Sequence, residues 1–334
     1  MRGKTTLLVC GATGFIGRNC VERLAARDDL RVVAVYNRRP PFDCPGVEWV
    51  RADLSRPEDV ARATRGVDVL IQAAATTSGV QDIVSRPYIH VTDNAVMNSY
   101  LLRSAFDNGV GHFIFFSCTV MYQPSDIPHD EAAFDANVPL LPQYFGVGWT
   151  KVYLEKMCEF YSRIGQTRFT VVRHSNVYGP HDKFDLEHSH VFAATVSKVM
   201  TATDTVTVWG TGTEARDLIY VGDLMDFVEA AMARQTAPFA IYCVGGGEKV
   251  TIKDLIARII HQSGKTLSIE HDLSKPSIPT SLSLECSKAA QELGWRRATP
   301  LNEGILKTIA WWRETIDPDT LQPKHVLVLG NHET

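Results

Sequence analysis

Three glycines mark the first place where this chain could do chemistry. In the stretch CGATGFIGRN, Gly11, Gly14 and Gly17 are spaced G-x-x-G-x-x-G between an apolar run and a helix-like pattern. Glycines at that spacing permit a tight turn and a close approach of backbone to a ligand, and a helix N-terminus favours a pyrophosphate. With Thr13, Phe15 and Ile16 filling the turn, the stretch predicts a dinucleotide site at a first strand-to-helix turn. The end of the second apolar run bears on which dinucleotide. An acidic residue there would bind the adenosine ribose hydroxyls, but the run reads Tyr36, Asn37, Arg38, Arg39. Two guanidinium groups can hold a 2′-phosphate through charge-assisted bonds, so NADP is expected, with NAD as the alternative. Asp53 and Leu54, in ADL after the third run, are placed to reach the adenine edge. Ala73, Ala74 and Ala75 offer small side chains after the fourth run, where cofactor backbone would pass.

The elements that must position these residues follow from periodicity. Apolar strand-like runs fall at 5–10, 31–36, 47–51, 67–72 and in GHFIFFSC, separated by helix patterns. The first helix pattern runs from 15 to about 26, with Ile16, Cys20, Val21 and Leu24 spaced for one buried face. Continuous apolar strands alternating with helices predict an α/β fold, a Rossmann-like doubly wound parallel sheet covered on both faces. The helix after Tyr144 and the strand TRFTVVR continue the series. From about 176 the spacing becomes irregular, through TVTVWG, DLIYVGDLMDFVEAAMA, FAIYCVGGG, TIKDLIARIIHQSG, LSIEHD and a last helix near 301–314. This predicts a cofactor domain over 1–175 and a smaller C-terminal α/β substrate-binding domain over 176–334, with a soft boundary and some segments returning to the large domain.

Composition narrows the partners. The chain has 334 residues, 45% hydrophobic and 22% charged, with a net charge of −4, and it has no basic run that could track phosphates. Nucleic acid and membrane are not expected partners. The seven cysteines are scattered, without a C-x-x-C pair, which suggests reduced thiols in the cytoplasm and no disulfide frame or zinc site. His174, His181, His188 and His190 crowd one stretch, but their spacing matches no metal-binding helix pair, and no metal is expected.

At this point the chain resembles the extended short-chain dehydrogenase/reductases, the nucleotide-sugar epimerase/dehydratase/reductase superfamily. The glycine turn, ADL, Asn94 in DNAVMNSYLL, FFSCTVMY, Lys151, NVYGP and RDLIYVGDL fall in family order. The stretches NVYGPHDKFDLEHSHV and VTVWGTGTEARDLIYV are similar to the branch of GDP-L-fucose synthases, epimerase/reductases of a GDP-4-keto-6-deoxy sugar. The resemblance implies a nucleotide-sugar substrate, with a GDP-sugar favoured. It also implies a homodimer built through two long helices, here about 82–108 and 144–163. By position, Lys198, Trp209 and Arg216 would hold the nucleotide of the sugar donor. Asn176 would lie at the sugar–nicotinamide junction, and His190 would be the general acid. The residue types agree in part, since a diphosphate needs cations and Trp209 could stack on a base. Trp209 also reads as a core or edge aromatic, and Arg216 as a salt-bridge partner of Asp217 or Asp223.

The family's chemistry uses a hydroxyl after the fifth strand, a tyrosine, and a lysine four residues on. Spacing of i and i+4 puts phenol and ammonium on one helix face, where the ammonium lowers the phenol's pKa. In YFGVGWTK the lysine is Lys151, but the tyrosine position is Val147. Cys118 lies where the hydroxyl is expected, beside Thr119. Val120 replaces the cysteine that fucose synthases use as epimerisation base, and a basic nucleotide contact expected near 281–282 is absent. Four readings stand. Tyr144, two helical turns before Lys151 and so on roughly the same face, replaces the lost phenol. His190, Cys118, Thr119 or a water supplies the proton. An epimerisation proceeds with a base and a polarised carbonyl. Or the chain binds NADP(H) and a sugar nucleotide without catalysis. The reading taken forward is an NADP-dependent reductase or epimerase of a 4-keto-6-deoxy sugar nucleotide. In it Lys151 binds the ribose and tunes the proton path, Thr119 or Cys118 bonds the reacting oxygen, and His190 is the acid/base.

Overall fold

The computed structural model describes residues 3–76, 86, 88–186, 189–274 and 279–324. The apolar runs become strands β1 (Thr5–Cys10), β2 (Leu30–Tyr36), β3 (Glu48–Arg51), β4 (Val69–Gln72), β5 (His112–Phe116) and β6 (Arg168–His174). Beyond them come β7 (Asn176–Tyr178), β8 (Thr205–Trp209), β9 (Ala215–Arg216), β10 (Leu218–Tyr220), β11 (Phe239–Val244), β12 (Val250–Thr251) and β13 (Ser268–Asp272). The helices are α1 (Phe15–Ala25), α2 (Pro57–Ala63), α3 (Tyr88–Asp107), α4 (Phe145–Ile164), α5 (Val191–Thr201), α6 (Val221–Arg234), α7 (Ile252–Ser263), α8 (Ser287–Leu293) and α9 (Leu301–Thr315). Of the expected helix over 82–108, residues 82–85 and 87 lie outside the described residues.

One sheet of seven strands runs in the order β11-β6-β5-β4-β1-β2-β3, and every pairing in it is parallel. Alternation along β1 shows how it is covered. Leu7 and Val9 join a core with α1, α6 and α8 on one face. Leu8 and Cys10 join a core with α2, α3 and α4 on the other. The strand order reverses direction between β1 and β4, which opens a crevice at the carboxyl ends where a ligand binds in such sheets. Although the chain has left the sheet at β6, it returns to it with β11, which aligns Val244 with His174.

The remaining segments build a smaller core from Phe192, Val196, Val206, Val208, Leu255, Ile259, Ile305 and Trp312, where α5, α7 and α9 meet β8. Two buried carboxylates tie this part together. Asp217 accepts backbone N–H bonds from Gly246, Gly247 and Leu284 at 2.5, 3.1 and 2.8 Å. Asp223 accepts from the backbone and side chain of Thr299.

Candidate active site

The glycine turn is where the sequence expected it. Gly11 has φ +73°, and a Cβ on it would lie 2.6 Å from the backbone of Ala74. A Cβ on Gly17 would lie 2.1 Å from the Gly11 carbonyl oxygen. The turn is therefore closed against both α1 and the β4 exit, and Gly14 caps α1 without a side chain in the way. Buried amides from α3 hold the β4 exit. Gln72 donates to the Ala74 carbonyl and to Asn98 Oδ1 at 3.0 Å each. Asn94 bonds both the N–H and the carbonyl of Thr76 at 3.0 Å. Ala73 and Ala74 are thus fixed against Gly11, with Ala75 following, as a small-residue wall beside the turn. That cradle has room for cofactor backbone only because side chains are missing from it, so the residues fit a dinucleotide.

Past the end of β2, Arg39 Nη1 donates to the Thr13 carbonyl at 2.9 Å, which brings its guanidinium to the turn. Asn37 and Arg38 are exposed beside it. Asp53 Oδ1 accepts from the hydroxyl and N–H of Ser55 at 2.6 and 3.0 Å, and these bonds hold its carboxyl below the usual range. Leu54 is buried next to it.

Lys151, on the second turn of α4, donates from Nζ to the Phe116 carbonyl at 2.9 Å, with Nζ 4.8 Å from the centre of the Phe115 ring. Burial lowers its pKa, while the neighbouring Cys118 thiol and Glu155 oppose that. One turn further on, Glu155 anchors a buried network. It accepts from Ser117 Oγ at 2.5 Å and from Arg173 Nη2 at 2.7 Å. Arg173 Nη1 also donates to the Tyr122 hydroxyl at 2.8 Å and the Glu131 carbonyl at 3.0 Å. Neighbouring carboxyl ends of the sheet, the 117–131 loop and α4 are locked together directly under the lysine.

Around Lys151 stand the other candidates. Burial pushes the Cys118 thiol up, partly countered by Lys151 and by the Val120 N–H, so it stays protonated at neutral pH. Thr119 is half-buried and its carbonyl accepts from the Tyr122 N–H at 3.0 Å. Val147 sits one turn before Lys151, between glycines that let α4 pack closely. A Cβ on Gly146 would meet Val91 at 2.8 Å and one on Gly148 would meet Leu140 at 2.6 Å. Tyr144 precedes the helix that carries Lys151 and does not lie within it. Pro142 starts a 3-10 turn (Pro142–Tyr144), and Tyr144 forms the cap of α4 with φ −103° and ψ 2°. From there its phenol, raised by burial, lies in the fields of Arg216 and Cys118.

His190 caps α5, and its pKa is lowered by desolvation and by the charges of Lys183 and His90. Lys198 Nζ lies 4.9 Å from the Trp209 ring centre and donates to the Thr207 carbonyl at 3.1 Å, so these two form a cation–aromatic pair. Trp209 keeps 38% of its surface exposed, which removes the core reading of it. Arg216 Nη1 donates to the carbonyls of Ala215 and Thr280 at 2.9 and 2.8 Å, and the carboxylates of Asp217 and Asp223 are taken up by the bonds described above. Asn176 Nδ2 donates to the Asp217 carbonyl at 3.2 Å. Of the crowded histidines, His181 turns away to Glu22 at 3.0 Å and to the Trp311 ring, and His188 lies outside the described residues. Among the described residues no His, Cys, Asp and Glu groups converge as a metal site.

Sequence reasoning passed over His174 as a site residue. The predicted strand stopped at Arg173, but β6 extends to His174, whose ring packs against Phe116 at 6.0 Å and whose charge environment includes Lys151 and His190. The signal that could have found it is its position at the carboxyl end of a parallel strand of the main sheet.

The sheet order, the glycine turn and the lysine at the crevice define a Rossmann-type enzyme of the extended short-chain dehydrogenase/reductase class. Residues 7–245 match the NAD dependent epimerase/dehydratase family, and the chain belongs to that family. It is 28% identical over 323 residues to dTDP-4-dehydro-6-deoxy-D-allose reductase of a Streptomyces species, covering 92% of this chain and 96% of that protein. It is 27% identical over 307 residues to GDP-L-fucose synthase of Sinorhizobium fredii, covering 90% and 93%. Among solved structures, UDP-glucose 4-epimerase of Thermus thermophilus, in complex with NAD, superposes with TM-score 0.79 at 26% identity, over 92% of this chain and 99% of that one. The chain is thus an enzyme of a nucleotide-sugar epimerase, dehydratase and reductase family that depends on NAD or NADP. Among the described residues no helix is long and apolar enough to cross a membrane.

Proposed function

We propose that this enzyme is an NADP-dependent reductase or epimerase of a 4-keto-6-deoxy sugar nucleotide, with a GDP-sugar favoured. The observation that carries the reading is Lys151, fixed on the Phe116 carbonyl with Cys118, His174 and His190 around it, at the sheet crevice that begins with the glycine turn. When bound, the dihydronicotinamide supplies hydride to the sugar. Lys151 binds the nicotinamide ribose and, as a cation, lowers the charge developing on the sugar oxygen. Cys118 or Thr119 donates a hydrogen bond to that oxygen, His190 exchanges its proton, and Tyr144 is the alternative donor. Arg38 and Arg39 support a 2′-phosphate. Arg216 and the Lys198–Trp209 pair support a nucleoside diphosphate, the base on the indole and the phosphates on the cations, in the region from residue 176 on.

Two further features support finer readings. Phe145, Tyr153, Phe160 and Ile164 on α4, with Val96 and Tyr100 on α3, are exposed apolar side chains at helical spacing. They fit a homodimer through these helices, and a monomeric mass in solution would refute it. All seven cysteines are unpaired, which suits the cytoplasm.

The test is a panel of 4-keto-6-deoxy sugars on GDP, dTDP and UDP, incubated with NADPH. NADPH oxidation, or deuterium uptake from heavy water beside the keto group, supports the reading. Neither signal with any member refutes it.

A further inference from the structure

We propose that His174 Nε2 is the base that removes the proton from the carbon beside the sugar's keto group. This rests on the reading above and names the residue that performs its epimerisation step. The fucose-synthase-like cysteine base is missing, since Val120 stands at that position, so a base must come from another element.

His174 has the geometry for it. It ends β6 at the carboxyl edge of the sheet, between β5, whose Phe116 carbonyl holds Lys151, and β11, whose Val244 aligns with it. Its Nδ1 lies 2.7 Å from the Ser175 carbonyl oxygen. A carbonyl only accepts, so Nδ1 carries the hydrogen and Nε2 of the neutral ring carries the lone pair. Nε2 makes no hydrogen bond among the described residues and is not sealed from solvent. The Phe116 ring, 6.0 Å away and at 66°, fixes the plane of the imidazole. The charged and titratable groups facing it are Lys151 on α4 and His190 at the cap of α5.

The other groups at the site are less suited to take a proton. Burial keeps the Cys118 thiol and the Tyr144 phenol protonated at neutral pH, and Lys151 is bonded to a carbonyl. Burial holds His174 at about 4, against the Ser175 bond and with Lys151 and His190 adding to the fall, so it is unprotonated when the ketone arrives. As a weak base it relies on the Lys151 charge beside the enolate oxygen to favour the transfer. The step balances without an oxidant. The C–H bond beside the keto group breaks, its proton goes to Nε2, and its electron pair forms an enolate whose oxygen faces Lys151. A proton from solvent, relayed by His190, returns to the opposite face of the same carbon. The carbonyl is restored, and solvent removes the proton from Nε2.

The experiment follows deuterium uptake into a 4-keto-6-deoxy sugar nucleotide with NADP⁺ bound, so that no hydride can be delivered. The wild type, H174Q and H174A are compared, with NADPH affinity and thermal melting as checks on the fold. Expected is a loss of exchange of about 100-fold or more in both variants, NADPH affinity within a few-fold of wild type, and recovery of exchange in H174A on adding imidazole. Exchange in H174Q equal to wild type overturns the assignment and leaves the proposed function standing. So does a loss in H174A that imidazole does not restore, or a wild type that oxidises NADPH yet never exchanges. A wild type that does neither overturns the proposed function itself.

Discussion

Replacing Glu155 by glutamine tests whether the site floor is held by charge. Glu155 and Arg173 are 3% and 4% exposed, and their closest oxygen and nitrogen are 2.7 Å apart. Glutamine keeps the volume and one carbonyl oxygen, so the bond from Ser117 survives and packing is unchanged. What is lost is the negative charge and the acceptor for Arg173 Nη2, which leaves the guanidinium buried with only neutral partners, the retained side-chain oxygen, the Tyr122 hydroxyl and the Glu131 carbonyl. Removing one partner of a buried pair destabilises by about 3–5 kcal/mol. Because neutral hydrogen bonds remain, the lower end, about 3 kcal/mol, is expected for Glu155→Gln. For comparison, Ser117→Ala removes one hydrogen bond to a carboxylate and should cost about 1.5–2 kcal/mol. Urea unfolding followed by fluorescence measures both. The double variant with Arg173→Met should be more stable than the sum of the two singles by at least about 1.5 kcal/mol, since no unpaired charge remains. A Glu155→Gln loss below about 1 kcal/mol, or an additive double, would show that the pair is not what holds the loop under Lys151.

Gly17→Ala puts a methyl group 2.1 Å from the Gly11 carbonyl oxygen, and the turn must move. NADPH titration should show at least about tenfold weaker binding, and unchanged affinity counts against the cradle. Arg38→Asp should weaken NADP more than NAD, and equal losses would remove the 2′-phosphate assignment. Asp182 is buried with Oδ2 unpartnered, and burial raises its carboxyl to about 7, against the Lys183 N–H and charge and with Asp185 adding to the rise. Its folded pKa lies above its unfolded one, so its proton stabilises the fold at low pH and that stability is lost as pH rises from about 4 towards 7. Asp182→Asn should flatten this dependence, which has an upper bound of about 4 kcal/mol by linkage. Melting at pH 5 and pH 8 that changes equally in both proteins would refute it.

The parts of the fold legible in the sequence are those set by local pattern. The strand runs and the glycine turn could be read because burial on both faces writes a continuous apolar signal, and because Gly11 and Gly17 admit no side chain. What could not be read depends on how separate segments meet. Tyr144 looked helical by counting back from Lys151, but Pro142 starts a 3-10 turn and Tyr144 becomes the cap of α4, where its phenol feels both Arg216 and Cys118. Glu155 reads as an ordinary helical carboxylate, and only the approach of β6 buries it on Arg173. His174 is one histidine among four by spacing, and the sheet alone separates it from His181.

The return of the chain to β6 through β11 also sets an order of assembly. While residues 175–238 are being made, β6 is an open edge with unpaired backbone groups, a state prone to pairing with other chains. At synthesis rates of about 5–20 residues per second, that exposure lasts several seconds in the nascent chain. The strand that finally closes it aligns Val244 with His174, so the glycine turn can form early in translation while the β6 end of the crevice is completed last.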